Sequence, residues 1–385
     1  MSAETHDVVI VGGGVSGLVL AYRLSEDLNM QVVVLECGQD CREDTNTLTP
    51  GAWPLLTNSP SDRTFQTVPQ KEITRQITVR QGKALGISSA INSFLFTSTS
   101  KTTVDDPLPG GLGWLNITPG SIDPRTKQRS YAANAYLDPI RSRPNLTVRP
   151  ETTVTKVLLE KPSGGGKAVA KGVEIIAHDD SLQTVEVRKE VIISAGAINS
   201  PRLLELSGVV GSELLRCLGV DVIVDNPFVG ENLQNHLFTG LVFEVQDVDT
   251  IDAFFRQQPD AVGAALQDFG TKGIGPLSTS NMITMAQIPL PEVNTKDGRK
   301  ELDQMFSTFA YLAAQKEFLH PILTDSSEAL GNYVFGLAYA PFDAPDPSYR
   351  APGKYVSVAI ELLHPLSRGS VHMTSPDGAK YAKTS

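Results

Sequence analysis

The stretch Asp7-Val-Val-Ile-Val-Gly-Gly-Gly-Val-Ser-Gly-Leu-Val-Leu-Ala21 constrains the fold of this chain more than any other. Val8 to Val11 is a continuous β-branched run, the pattern of a strand covered on both faces in a parallel sheet. A turn and the start of a helix follow at once. Gly12, Gly14 and Gly17 have G-x-G-x-x-G spacing, in which the first glycine permits a tight turn, the second lets backbone approach a diphosphate, and the third lets helix pack on strand. The N–H groups of Val15, Ser16 and Gly17 at the helix start then face the phosphates. Glycine-rich turns also occur where nothing binds, so the context decides. Leu18, Ala21, Tyr22 and Leu24 continue at helical spacing, and a second β-branched run, Gln31 to Leu35, ends at Glu36, 19 residues beyond Gly17. Dinucleotide sites place a ribose-binding carboxylate at about this distance.

A chain of 385 residues has room for about two domains. Its net charge of −10 disfavours a nucleic-acid or anionic-membrane partner, and a small molecule fits better. No apolar run approaches the roughly 20 residues of a membrane span. Met1 to His6 lacks the basic and apolar regions of a secretory signal, so the expected compartment is the cytoplasm. Cys37, Cys41 and Cys217 neither complete a disulfide framework nor show zinc-site spacing; they read as ordinary thiols, and no metal is expected. Sequons at Asn116 and Asn145 matter only in a secreted protein.

Downstream of Glu36, residues 38–80 are polar, irregular and proline-containing, too long for a simple βα connection. Short β-rich runs follow at 146–148, 153–158, 170–176 and 184–193, and residues 201–206 have helical propensity. Ser163 to Gly166 reads as a hairpin tip. Beyond Leu237 the pattern alternates, as in Gly240–Val245 and Tyr355–Leu362, with a helix expected over 251–269 between them. This second region suits a largely antiparallel sheet with helices on one face.

Six stretches carry a family resemblance: Gly82-Lys-Ala-Leu-Gly-Ile-Ser-Ser-Ala-Ile-Asn92, Ser121 to Leu137, Arg143-Pro-Asn-Leu-Thr-Val148, Arg188 to Gly208, Val229-Gly-Glu-Asn-Leu-Gln-Asn-His236, and Leu363-His-Pro-Leu-Ser-Arg-Gly-Ser-Val371. With the N-terminal glycine motif they are spread along nearly the whole chain, which resembles the glucose–methanol–choline (GMC) family of FAD-dependent oxidoreductases. The resemblance implies an α/β fold, α+β overall: a Rossmann-like FAD-binding domain over 1–236, with a loop and lid region at about 38–120, and a mainly antiparallel substrate domain over 237–385. It implies FAD contacts at Gly12, Gly14, Val15, Ser16 and Gly17 on the diphosphate, Glu36 and Cys37 on the ribose, and Val154 near the adenine. Asn92, Ser93, Phe94 and Leu95 fall on the flavin side.

Three departures qualify it. Ile87 stands where the family has glycine, and a β-branched residue does not readily take positive φ or allow close approach to a ligand. The stretch from Phe96 to Ser121 is shorter than the family's lid. The chain stops at Ser385, before the segment that in the family holds a catalytic histidine. No catalytic residue is therefore assigned: none of His6, His178, His236, His320, His364 and His372 lies on the matching motif, and His236 and His364 read as architectural. The expected function is oxidation of a CH–OH group on a small organic substrate in fungal secondary metabolism, with FAD bound but little turnover by this length of chain. A non-redox cyclase or dehydratase on the same scaffold, or a non-catalytic FAD-binding remnant, are the alternatives.

Overall fold

The computed structural model describes residues 4–71, 73–94, 113–116, 121–161, 166–289, 292, 295–308, 313–325, 328–340, 342, 350–377 and 383–384. The first β-branched run becomes β1 (Glu4–Val11), which pairs in parallel with β2 (Val32–Leu35) in the register Val8↔Val32 through Val11↔Leu35. On its other side β1 pairs in parallel with the strand Leu182–Ile193. Leu146–Arg149 extends this six-stranded sheet beyond β2, and Val169–Ile176 and Thr153–Glu160 extend it antiparallel at the far edge.

Alternation of side chains explains why the runs are apolar at every position. Val8, Ile10, Val32 and Val34 share a core with Leu18 and Ala21 of α1 (Val15–Leu24). Val9, Val11, Val33 and Leu35 point the other way, into a second core with Val157, Val173, Ile175 and Leu203. Both faces are dry, as in a doubly covered parallel sheet.

The chain forms two compact units, one of residues 1–93, 128–233 and 368–385, the other of 94–127 and 234–367. This differs from a linear division at 236 because pairing decides membership. Gly113–Asn116 hydrogen-bonds to Met282–Ile288 in the second unit, whereas Leu233 exchanges backbone hydrogen bonds with Gly369 at 2.7 and 2.8 Å in the first. The second unit contains an antiparallel five-stranded sheet in the order Leu237–Glu244, Tyr355–Leu362, Gly331–Gly336, Met282–Ile288, Gly113–Asn116. Two helices, Lys296–Thr308 and Ala313–Thr324, bury Leu302, Phe306, Leu319 and Ile322 together. Among the described residues no helix is long and apolar enough to cross a membrane.

Two expectations need correction. The single helix over 251–269 is two helices, Asp252–Phe255 and Pro259–Lys272. Pro259 cannot continue a helix from its N-terminal side, and Gln258 before it is extended (φ −67°, ψ 128°). The loop after Gly38 is not structureless: Asp62–Gln66 pairs antiparallel with Thr78–Gly82. On this hairpin Phe65, 2% exposed, packs against Ile198 and Val371 with Val79 partly buried beside it, so the alternation was too sparse to read. Residues 163–165 of the expected hairpin tip, Leu95 and most of the shortened 96–121 stretch lie outside the described residues.

Candidate functional site

The site forms where β1 and β2 end. Gly12 sits at φ +105°, and a Cβ there would collide with the Ser194 carbonyl; a Cβ on Gly17 would collide with the Gly12 carbonyl. Only glycine lets strand, turn and α1 pack this closely. Gly14 precedes α1 with no side-chain cap, and the first intrahelical bond comes from Leu18 N to Gly14 O at 2.9 Å. Val15 and Ser16 are exposed and the first turn carries no acidic residue, so the positive end of the helix is open to an anion.

Glu36 follows β2 and is 1% exposed. Its Oε2 accepts from Gly13 N at 2.8 Å, and its Oε1 accepts from Gly38 N at 2.7 Å and from the Cys37 thiol at 3.4 Å. Burial pushes its pKa up, while the two backbone N–H groups pull it down. The same burial, reinforced by the neighbouring Glu36, pushes the Cys37 thiol up to about 11, so Cys37 is a neutral donor at pH 7 and no nucleophile.

Gly12, Glu36, Cys37 and Val154 line one cleft. The sequence-expected residues on the ADP side are therefore brought together, with Gly14, Val15, Ser16 and Gly17 at the adjoining helix start. The same cleft includes Arg63, Gln81, Asn199 and Arg202, which sequence reasoning did not single out. Asn199 Nδ2 donates to Gln81 Oε1 at 3.1 Å, tying two of the lining residues together. Gln81, Asn199 and Arg202 adjoin or lie within the quoted stretches and were findable; Arg63, on the hairpin, carries no sequence signal.

The flavin-side residues behave differently. Asn92 Oδ1 and its carbonyl accept from Arg129 Nη1 at 2.7 and 3.0 Å, and neither Asn92 nor Ser93 lines the cleft. Arg129 is 1% exposed and also donates to Thr47 O and Ser89 O, so this corner is a structural tie. Phe94 is fully buried, in the second compact unit, at φ +65°. Leu95 lies outside the described residues. Of the histidines, His372 gives one ring nitrogen to Glu205 at 2.6 Å and the other to Glu231 at 2.8 Å, which leaves neither for a substrate. His236 Nδ1 lies 2.7 Å from Glu361 Oε1, whose Oε2 accepts from Asn332 Nδ2 at 3.0 Å. Burial lowers the pKa of the half-buried His364.

Comparison with known proteins places this geometry. The family model described as GMC oxidoreductase matches residues 111–238, and one described as an NAD(P)-binding Rossmann-like domain matches residues 10–51. The chain is 29% identical over 472 residues to the GMC oxidoreductase family protein Mala s 12 of Malassezia sympodialis, covering 100% of this chain and 73% of that protein. It is 31% identical over 489 residues to a dehydrogenase of Armillaria gallica, covering 99% and 74%. An FAD-dependent oxidoreductase from Chaetomium thermophilum shares the fold with a TM-score of 0.80 at 21% identity, over 98% of this chain and 77% of that one. The glycine turn, the buried acid at the end of β2 and these relationships agree, and the chain belongs to the GMC family of FAD-dependent oxidoreductases.

Proposed function

We propose that the cleft beside Glu36 holds the ADP half of FAD, and that the enzyme oxidises the CH–OH carbon of a small organic alcohol in fungal secondary metabolism. The observation that carries this reading is the Glu36 carboxylate. A carboxylate is costly to bury, yet this one is held by two backbone N–H groups where it lines the cleft. Its oxygens have about four lone-pair sites, and Gly13 N, Gly38 N and the Cys37 thiol take three, so one remains for a ribose hydroxyl. The rest of the donor set fits: uncapped N–H groups at the start of α1 for phosphate oxygens, and Thr153 and Val154 on the wall where an adenine is to lie.

Bound FAD supplies the hydride acceptor. The polypeptide binds and orients: Gly12 and Gly17 let the turn close, Glu36 fixes the ribose, and the Gln81–Asn199 hydrogen bond ties two lining residues together. We place this action in the cytoplasm. The free thiols Cys37, Cys41 and Cys217 support that reading. So does Asn145, whose sequon amide points inward to donate to Ser25 O, Asp27 O and Met30 O.

The test is anaerobic mixing of FAD-loaded protein with primary and benzylic alcohols while visible flavin absorbance is followed. Slow bleaching by one class of alcohol is the expected result, in keeping with a chain to which no catalytic base is assigned. Protein that retains flavin but is bleached by none of them refutes the redox assignment.

A further inference from the structure

The two glycine-rich segments are stitched together at Gly86 and Ile87. Gly86 N donates to Gly13 O at 2.8 Å, and Ile87 N donates to Ala84 O at 2.7 Å. Ile87 adopts φ 44°, ψ −124°, a conformation that suits glycine and strains a β-branched residue. Its backbone has little freedom to escape. A Cβ on Gly82 would collide with the Ile87 carbonyl group, and Gly86, at φ +88°, packs so that a Cβ would lie 2.6 Å from the Tyr131 ring. The side chain therefore projects where the pinned backbone aims it.

It aims at Gly14. The Ile87 Cδ1 lies 2.8 Å, and its Cγ1 3.3 Å, from the position a Gly14 Cβ would take. Bare backbone at Gly14 and the open start of α1 make the place where a diphosphate could approach. A methyl group covers it instead. That methyl is the far end of a side chain whose χ1 is stiff but whose outer torsion can turn, so the cover is movable.

We propose that Ile87 gates the diphosphate cradle: its δ-methyl must swing off Gly14 before a dinucleotide seats, and this weakens FAD binding relative to a chain with a smaller residue at 87. The proposal rests on the cofactor reading above. It locates the obstruction at the diphosphate rather than at the flavin ring.

The experiment is titration of FAD into apo wild type, Ile87→Val and Ile87→Gly by calorimetry, with the apo melting temperature of each. Ile87→Val deletes only the Cδ1 atom and keeps β-branching, so it decides the matter even if Ile87→Gly folds poorly. Removing an overpacked methyl corresponds to about a decade in affinity. The expected result is at least about threefold tightening in Ile87→Val and at least about tenfold in Ile87→Gly, and a raised melting temperature only in Ile87→Gly, where strain is released. Wild-type affinity in both variants overturns the gate and leaves the cofactor reading standing. Tightening confined to Ile87→Gly also overturns it, because backbone strain rather than the methyl is then responsible. Failure of all three proteins to bind FAD overturns the cofactor reading itself.

Discussion

Replacing Glu36 with glutamine preserves shape and exchanges one acceptor oxygen for an NH2 group. In the wild type both oxygens are engaged, Oε2 by Gly13 N at 2.8 Å and Oε1 by Gly38 N at 2.7 Å. Whichever oxygen is lost, one backbone N–H faces a donor, and an orphaned buried N–H costs about 1–3 kcal/mol. Against this, burial raises the Glu36 pKa, so the ionised wild type carries a desolvation penalty that the neutral amide avoids. The net loss of stability is then near about 1 kcal/mol, a melting-temperature drop of a few degrees. Cofactor affinity falls further, because a hydrogen bond to a charged acceptor contributes about 1.5–3 kcal/mol, or roughly tenfold to a hundredfold in Kd. Calorimetric titration with FAD beside a thermal melt reads both quantities. A melting temperature lowered by several degrees with FAD affinity within about threefold of wild type would refute the reasoning, since Glu36 would then only staple Gly13 to Gly38.

Three further outcomes follow from the described contacts. Arg129→Met strips the donors from Thr47 O, Ser89 O and both Asn92 acceptors, and denaturant unfolding should register a loss of about 3–5 kcal/mol; a loss below about 1 kcal/mol contradicts the tie. Burial lowers the Arg129 pKa to about 10, so that loss should not change through the neutral range. For His372, burial opposes protonation but the hydrogen bonds to Glu205 and Glu231 outweigh it and raise the pKa. A raised folded-state pKa gives stability that is complete below the unfolded value of about 6.5 and is lost as pH rises through the folded one, so His372→Gln should lower the melting temperature more at about pH 6 than at about pH 8.5. An equal deficit at both pH values would remove the charge from the explanation. Secretion of the chain through a glycosylating host should leave Asn145 bare by mass spectrometry, because its amide is committed to three carbonyls; a glycan there would mean this corner does not form.

The first βαβ unit was legible because three independent signals coincide within Val8 to Glu36: doubly buried strands, glycine spacing and an acid at the carboxyl end of β2. Each has a local cause, so sequence suffices. The antiparallel sheet was legible from period-two alternation at Tyr355–Leu362, but its strand order and the recruitment of Gly113–Asn116 depend on pairing between distant segments. Arg63 and the hairpin that carries it were invisible for the same reason, with only Phe65 and its cross-strand partner Val79 marking an inward face on the hairpin. Ile87 shows the converse. Sequence identified it as out of place for positive φ, and it holds φ 44° nonetheless, because its backbone is pinned from Gly82 and Ala84. Asn92 was assigned from resemblance to the flavin side, and only the fold reveals that Arg129 has claimed its side chain.

The central claim is that the glycine turn and Glu36 make an FAD site, and the most direct measurement is the flavin content of purified, FAD-reconstituted protein after gel filtration, for wild type beside Gly14→Val. A Cβ at Gly14 has the Ile87 side chain as its nearest neighbour, Cδ1 at 2.8, Cγ1 at 3.3 and Cβ at 3.5 Å, with no backbone among these three atoms, so the fold should survive while the diphosphate approach is filled. The account predicts near-stoichiometric flavin in the wild type and essentially none in Gly14→Val at an unchanged melting temperature for the apo forms. Equal flavin retention in the two proteins would contradict it.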